Sequence, residues 1–198
     1  TQGVSSAASD VYKRQVQVRI ERDGEVWVVS GDYKRQPDPT CRPFEVVPCD
    51  TFITEATFGL PVFRWPDTAG VAREIVAWRE QCAARGETAI LYCYALGKAQ
   101  RVLAELMAHT DQPALLHGAI AAGVAVYRQA GIPMLATEPV GETPRGSDFA
   151  GRLVIAPPSA AGSAWLRRFR QAQHGFASGW MQSVSYTHLR AHETGRNL

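Results

Sequence analysis

Residues 88–108 read TAILYCYALGKAQRVLAELMA, and the hydrophobic period changes within this stretch. Thr88–Tyr94 is a short apolar run, which is typical of a buried strand. Leu96–Ala108 repeats its apolar residues at helical spacing. A strand followed at once by a helix is the first half of a βαβ unit, so this stretch predicts an α/β protein.

The same alternation continues on both sides of this stretch. Upstream, Asp67 can cap a helix that ends at Gly86. Downstream we predict a strand at Ala114–Leu116, a helix at Ile120–Ala130 and a strand at Arg152–Ala156. Strands and helices that alternate in this way form a parallel sheet covered by helices.

The first third of the chain is predicted to be β-rich. Val16, Val18 and Ile20 alternate with polar residues, Asp23-Gly24 marks a hairpin turn, and a second strand covers Glu25–Ser30. A proline-rich loop follows, and a third strand covers Thr51–Thr54.

Both ends of the chain resemble translated sequencing adapters. Ser5–Gln15 reads SSAASDVYKRQ, which matches one frame of a transposase adapter, and Ser183–Thr194 reads SVSYTHLRAHET, which resembles the opposite strand. We therefore expect residues 1–15 and 183–198 to be non-native and to pack on nothing. The His and Glu residues of the second segment resemble an inverted zinc-protease motif, but on this interpretation they form no site.

The charge balance gives no support for nucleic-acid binding. The net charge is +2, from 21 basic and 19 acidic residues. The two terminal segments supply four of the basic and two of the acidic residues, which leaves 17 of each in residues 16–182. Binding to nucleic acid would therefore depend on a local basic patch.

The cysteines and the hydropathy pattern are those expected of a cytoplasmic protein with no membrane partner. The four cysteines contain no CxxC pair, which favours reduced and mostly buried thiols over disulfides or zinc ligands. No apolar run approaches the ~18 residues of a membrane span.

Two carboxylates directly follow predicted strands. Asp32 lies in SGDYK and Glu55 lies in TEATFG. A carboxylate at the carboxyl end of a buried strand has the rigid support that a metal or general-acid site needs. The alternative is that each is a solvated residue where a strand meets a loop.

Five strings resemble one family. SGDYK, TFITEATFGLPVFRWP, LYCYALGKAQRVL, APPSAAGS and FASGWM occur in the order and spacing of the ligase-associated DNA-damage-response exonucleases, which belong to the β-CASP branch of the metallo-β-lactamases. The resemblance implies an α/β fold. Residues 16–66 would supply part of the metallo-β-lactamase β-sandwich, and residues 67–182 would form an incomplete β-CASP domain with a mostly parallel sheet.

The resemblance also implies a chemistry. It predicts a zinc-dependent exonuclease that hydrolyses phosphodiester bonds of DNA, with two zinc ions, or manganese instead, and with a DNA ligase and a helicase as partners. Asp32 matches the aspartate that bridges both metals, and Glu55 matches the residue that orients a catalytic histidine. The family's HxHxDH cluster would lie before Val16 and its other histidine segments after Gln182, so we expect this chain alone to be inactive.

Several residues are candidates for contacts with single-stranded DNA, or with RNA: Lys98, Ser159, Ser163, Arg167, Arg168 and Ser178. SAAGS (159–163) can open a helix whose N–H groups hold a phosphate, although Ser159 is equally explained as an N-cap. The WLRRFR segment combines cations with aromatics, as a single-strand track does, but an amphipathic helix with its arginines outward explains it too.

The histidines of residues 16–182 do not complete a metal site. His109, His117 and His174 are assigned to surface, loop or helix-end positions rather than to metal ligation. Two alternatives to a DNA exonuclease remain open. One is a metal-free β-CASP scaffold that binds a ligase or helicase, and the other is a nuclease that processes RNA 3′ ends.

Overall fold

The chain divides into two compact units, Thr1–Arg64 and Trp65–Leu198. The computed structural model describes residues 17–31, 33, 35–56, 68–144 and 146–177, and the backbone of Ser5 and Ser6. Asp32 and Ser178 lie outside the described residues, as do almost all of the two adapter-like segments.

Unit 1 contains a four-stranded sheet in chain order. The strands are β1 (Ser5–Ser6), β2 (Gln17–Arg22), β3 (Glu25–Ser30) and β4 (Thr51–Thr54). β1, β2 and β3 pair antiparallel, whereas β4 runs parallel to β3. The strands predicted at Glu25–Ser30 and Thr51–Thr54 are confirmed.

The β2–β3 hairpin turns at the predicted dipeptide. Asp23 and Gly24 have φ of 53° and 85°. Both values lie in the left-handed region that a two-residue turn of type I′ requires, which explains why Asp-Gly closes it.

β1 corrects one expectation. Residues 1–15 were expected to contact nothing, yet Ser5 pairs with Arg19 and Ser6 with Val18. A strand edge offers unpaired N–H and C=O groups to any extended segment, whatever its side chains, so two serines suffice for this pairing.

Unit 2 is built on a five-stranded parallel sheet in the order β7-β6-β8-β5-β9. The strands are β5 (Thr88–Tyr92), β6 (Ala114–Leu116), β7 (Thr137–Pro139), β8 (Leu153–Ala156) and β9 (Ala172–Phe176). The helices are α1 (Thr68–Ala84), α2 (Lys98–Leu106) and α3 (Gly118–Gln129). The prediction of an α/β protein with a parallel sheet is confirmed.

The two innermost strands form the centre of the core. Every residue of β5 and β8 is buried, which is why both read as unbroken apolar runs rather than alternating ones. α1 buries Ile75, Trp78 and Cys82 at one helical face, as its sequence predicts. The helix ends before Gly86, whose φ is 69°.

Residues 158–168 correct another expectation. Instead of one helix there are two 3₁₀ turns, Pro158–Ala160 and Ala164–Arg168. Gly162 lies between them with φ of 72°, a conformation that ends a helix rather than continuing it. No helix among the described residues is long and apolar enough to cross a membrane.

Candidate functional site

The carboxylate candidates of unit 1 follow the ends of two neighbouring parallel strands. Ser30 of β3 is the register partner of Thr54 of β4. Glu55 is the next residue after β4, and Asp32 is the second residue after β3 in the sequence. Because parallel neighbours lie about 4.8 Å apart and end at the same edge, the chain leaves both strands close together.

The described residues do not form a metal centre by themselves. Glu55 is exposed. The described part of the chain contains no group of three or more His, Cys, Asp or Glu residues that could hold a metal ion. A zinc or manganese ion needs several such ligands, so the described residues alone do not complete the two-metal centre that the resemblance implies.

In unit 2, the candidate substrate residues follow the carboxyl ends of adjacent strands. Tyr92 of β5 is the register partner of Ala156 of β8, and Lys98 and Ser159 come soon after these two strands. Carboxyl ends of parallel strands meet at one edge of a sheet, where open α/β proteins bind their ligands. We call this edge of unit 2 the carboxyl edge.

The loop that leads from β5 to Lys98 is held by one buried amide. Gln100 is fully buried. Its Oε1 accepts a hydrogen bond from Gly97 N at 2.7 Å, and its Nε2 donates to Ala95 O at 2.9 Å. Lys98, half-buried at the first position of α2, is therefore presented by a fixed backbone.

His117, Trp165 and Arg168 form a cluster on the same edge. The His117 ring lies edge-on to Trp165 with 4.7 Å between centroids, and the Arg168 guanidinium carbon lies 5.6 Å from the centroid of the Trp165 ring. Arg168 Nη1 donates to Val140 O at 3.2 Å, directly after β7. These contacts place Arg168 at the carboxyl edge, with Arg167 exposed beside it.

His117 is an N-cap rather than a loop residue, which corrects the expectation. Its Nδ1 accepts a hydrogen bond from Ala119 N at 3.1 Å at the start of α3. Burial lowers the pKa of His117, and the charge of Arg168 lowers it further. The imidazole is thus held neutral, with its Nδ1 already engaged.

The two serines of SAAGS do not open a helix, so both interpretations of Ser159 are wrong. Ser159 lies exposed inside a three-residue turn and caps nothing. Ser163 donates its hydroxyl proton to Ala160 O at 2.7 Å. Turns of three and five residues present no helix N-terminus to a phosphate.

The WLRRFR segment packs as the amphipathic alternative predicts, although in a 3₁₀ turn. Phe169 is buried, with its ring 4.9 Å from Phe149 and 5.0 Å from Trp165 between centroids. Trp165 is half-buried, and both Arg167 and Arg168 are exposed. The aromatic residues of this segment therefore serve the core, while its arginines are available on the surface.

The positions of His174 and Tyr94 in unit 2 were not predicted from the sequence. His174 lies in β9, where its Nδ1 is 2.9 Å from the hydroxyl of Tyr92, and burial raises the pKa of Tyr92 to about 12. Tyr94, predicted within a buried strand, lies beyond its end and is 54% exposed. The signal for Tyr94 was its place three residues before Gly97, where the apolar run meets a turn.

Comparison with known proteins gives one relative and no family. No family model matches the chain. A protein named "Probable DNA ligase" from Opitutus terrae is 30% identical over 151 residues, which is 76% of this chain. The chain spans only 14% of that protein.

Proposed function

We propose that this chain is part of a zinc-dependent exonuclease that hydrolyses phosphodiester bonds of DNA during repair. The observation that carries the proposal is the parallel register of β3 and β4, in which Ser30 lies opposite Thr54. Because of this register, the chain leaves β3 and β4 at the same edge, and in the sequence Asp32 and Glu55 follow these two strand ends. The strings that resemble the metallo-β-lactamase/β-CASP exonucleases support the same assignment.

The relative supports a link to nucleic acid. The matched 151 residues are 14% of the "Probable DNA ligase", so that protein is about 1,080 residues long. A chain of that length holds several domains. This chain resembles one part of that protein, and the name of the protein links that part to an enzyme that acts on DNA.

The roles proposed for the two carboxylates differ. Asp32 would contribute carboxylate oxygens to metal ions whose remaining ligands come from residues other than those described. Glu55 would hold a histidine in position and would not bind metal directly. Both roles belong to the complete exonuclease, with zinc as the proposed metal and manganese as the alternative.

The test uses the full-length protein that contains this segment. Asp32→Asn should lose bound zinc and single-strand exonuclease activity together. Glu55→Gln should lower turnover by about 10- to 100-fold while most of the zinc remains bound. Glu45→Gln, at an exposed carboxylate of the same unit, is the matched control and should change neither.

Two results would overturn parts of this assignment. Equal zinc loss in Asp32→Asn and Glu55→Gln would make Glu55 a metal ligand. Absence of chelator-sensitive DNA degradation by the wild-type full-length protein would refute the exonuclease itself.

The second candidate is a metal-free scaffold that binds nucleic acid beside a ligase or helicase. It is favoured by the cations at the carboxyl edge of unit 2, which could hold a strand without any metal. Such a protein would bind single-stranded DNA in the presence of chelator and would not degrade it. Faster hydrolysis of RNA than of DNA of the same sequence would instead favour the RNA-processing alternative.

A further inference from the structure

Tyr94 stands out because it is exposed directly after the most deeply buried strand of the protein. Residues 88–93 are all buried, yet Tyr94 and Leu96 are each 54% exposed. The chain passes from buried to exposed residues at the carboxyl edge, where ligands bind to open parallel sheets. A large ring exposed at such a position is a candidate contact for a flat ligand.

The backbone that carries Tyr94 is fixed on both sides. Cys93 N donates to Ala156 O at 3.0 Å, and Ala99 N donates to Tyr94 O at 3.1 Å. The Gln100 amide closes the same loop through Gly97 and Ala95. The ring is therefore held by a rigid support, which keeps the conformational entropy cost of stacking a ligand on it small.

Two cations lie at the same edge as the ring. Lys98 follows Tyr94 by four residues at the start of α2. Arg168 lies at the end of β7, which is separated from β5 by β6 and β8. Three interstrand spacings of about 4.8 Å make this separation roughly 14 Å. Glu142 is an acidic residue of the same edge, also after β7.

An exposed aromatic ring and separated cations at one edge match one class of ligand. Proteins that bind single-stranded nucleic acid combine a cationic track for the phosphates with aromatic rings on which bases stack. The edge therefore fits a flexible polyanion that carries bases.

We infer that Tyr94 is a stacking platform for one base of a single-stranded nucleic acid, whose phosphates contact Lys98 and Arg168. The inference deepens the proposed function and rests on it, because it names the surface by which the chain would hold the strand. It concerns binding by unit 2 alone and needs no metal.

The test measures binding by the 198-residue chain in the presence of chelator. The probes are a fluorescein-labelled 15-nucleotide oligo-dT and an abasic oligonucleotide of the same length, which keeps the phosphates and lacks the bases. Tyr94→Ala should weaken oligo-dT binding by about 5- to 100-fold and leave abasic binding unchanged. Tyr94→Phe, which keeps the ring, should bind both probes like the wild type.

Replacing either cation should change the binding of the two probes in a different way from replacing Tyr94. Lys98→Gln and Arg168→Gln should each weaken both probes alike and reduce the slope of log affinity against log salt by about 0.7. The matched controls are Arg73→Gln, at an exposed arginine of α1, and Trp27→Ala, at a partly exposed ring of unit 1. Both should bind like the wild type. Thermal melting of every variant verifies that it is folded.

The outcomes separate the two proposals. Equal loss of both probes in Tyr94→Ala, or no loss of either, would overturn the stacking inference, and so would failure of the wild-type chain to bind oligo-dT. Tighter binding of a duplex than of oligo-dT would overturn it as well. None of these results tests the exonuclease proposal, which depends on whether the full-length protein degrades DNA.

Discussion

Replacing Gly123 by alanine tests how the loop after β5 is held. Gly123 lies inside α3, and a Cβ added there would lie 2.8 Å from Gln100 Nε2 and 3.6 Å from Ala95 O. A separation of 2.8 Å is too short for a carbon. The amide cannot simply swing away, because both of its ends are hydrogen-bonded.

Two opposing effects decide the sign of the change. Alanine favours a helix over glycine by about 1 kcal/mol. Overpacking a filled interior costs about 1–3 kcal/mol, and each loop hydrogen bond lost with Gln100 costs about 1 kcal/mol more. The steric terms exceed the helix propensity. We therefore expect Gly123→Ala to lower the free energy of unfolding by about 1–3 kcal/mol, which corresponds to roughly 3–9 °C in melting temperature.

The assay is thermal and urea unfolding of the 198-residue chain, followed by circular dichroism. Gly118→Ala in the same helix is the matched control, because a Cβ at Gly118 meets nothing within 4 Å. The control should melt at or slightly above the wild-type temperature. In a Gln100→Ala background, where the amide is gone, Gly123→Ala should become neutral or stabilising.

A melting temperature of Gly123→Ala at or above that of the wild type would refute a steric clash with Gln100. An equal loss of unfolding free energy on Gly123→Ala, with and without the Gln100 side chain, would refute the clash as well. In either case the 2.8 Å approach would not be the cause of any instability.

Two further expectations concern His117 and the chain as a whole. The pKa of His117 is lowered in the folded protein, so the unfolded state binds more protons below about pH 6.5, and the free energy of unfolding should fall as the pH drops from 7 to 5. His117→Asn keeps a capping oxygen and should flatten that pH dependence, whereas His117→Ala should cost about 1 kcal/mol at pH 7; an unchanged pH slope in both variants would contradict the assignment. Incubated with zinc or manganese and labelled single-stranded DNA, the 198-residue chain should not degrade the DNA, and chelator-sensitive cleavage by it would disprove this expectation.

Elements that bury a strong apolar pattern were predictable. β3, β4, β5, β6 and β8 are short runs bounded by turn residues or polar loops, and their predicted positions hold within two residues. β9 was missed because it lies at an edge of its sheet and contains Gln173, His174 and Gly175, which carry no apolar alternation. β9 is a strand because its backbone pairs with β5, and its side chains carry no pattern that predicts this pairing.

The candidate site was predictable by position and not by conformation. Residues that follow strands in a βαβ pattern must meet at one edge, and Lys98 and Arg168 lie there. The helix expected after Pro158 required Gly162 to accept a right-handed conformation, whereas its φ is 72°. The sequence alone does not show whether a glycine adopts the right-handed or the left-handed backbone conformation, because glycine accepts both.

The position of β8 has a consequence for how the protein is made. β8 lies between β5 and β6, although it is the fourth strand of the sheet to leave the ribosome. Among the strands of its sheet, β5 pairs only with β8 and β9, so this fully buried strand stays without a partner until residue 153 has been synthesised. Elongation through those roughly 60 residues proceeds at about 5–20 residues per second. During this time the backbone N–H and C=O groups of β5 (TAILY) are unpaired, and another chain can pair with them and aggregate. Nascent chains that stall before β8 are therefore the form of this protein that most needs a chaperone.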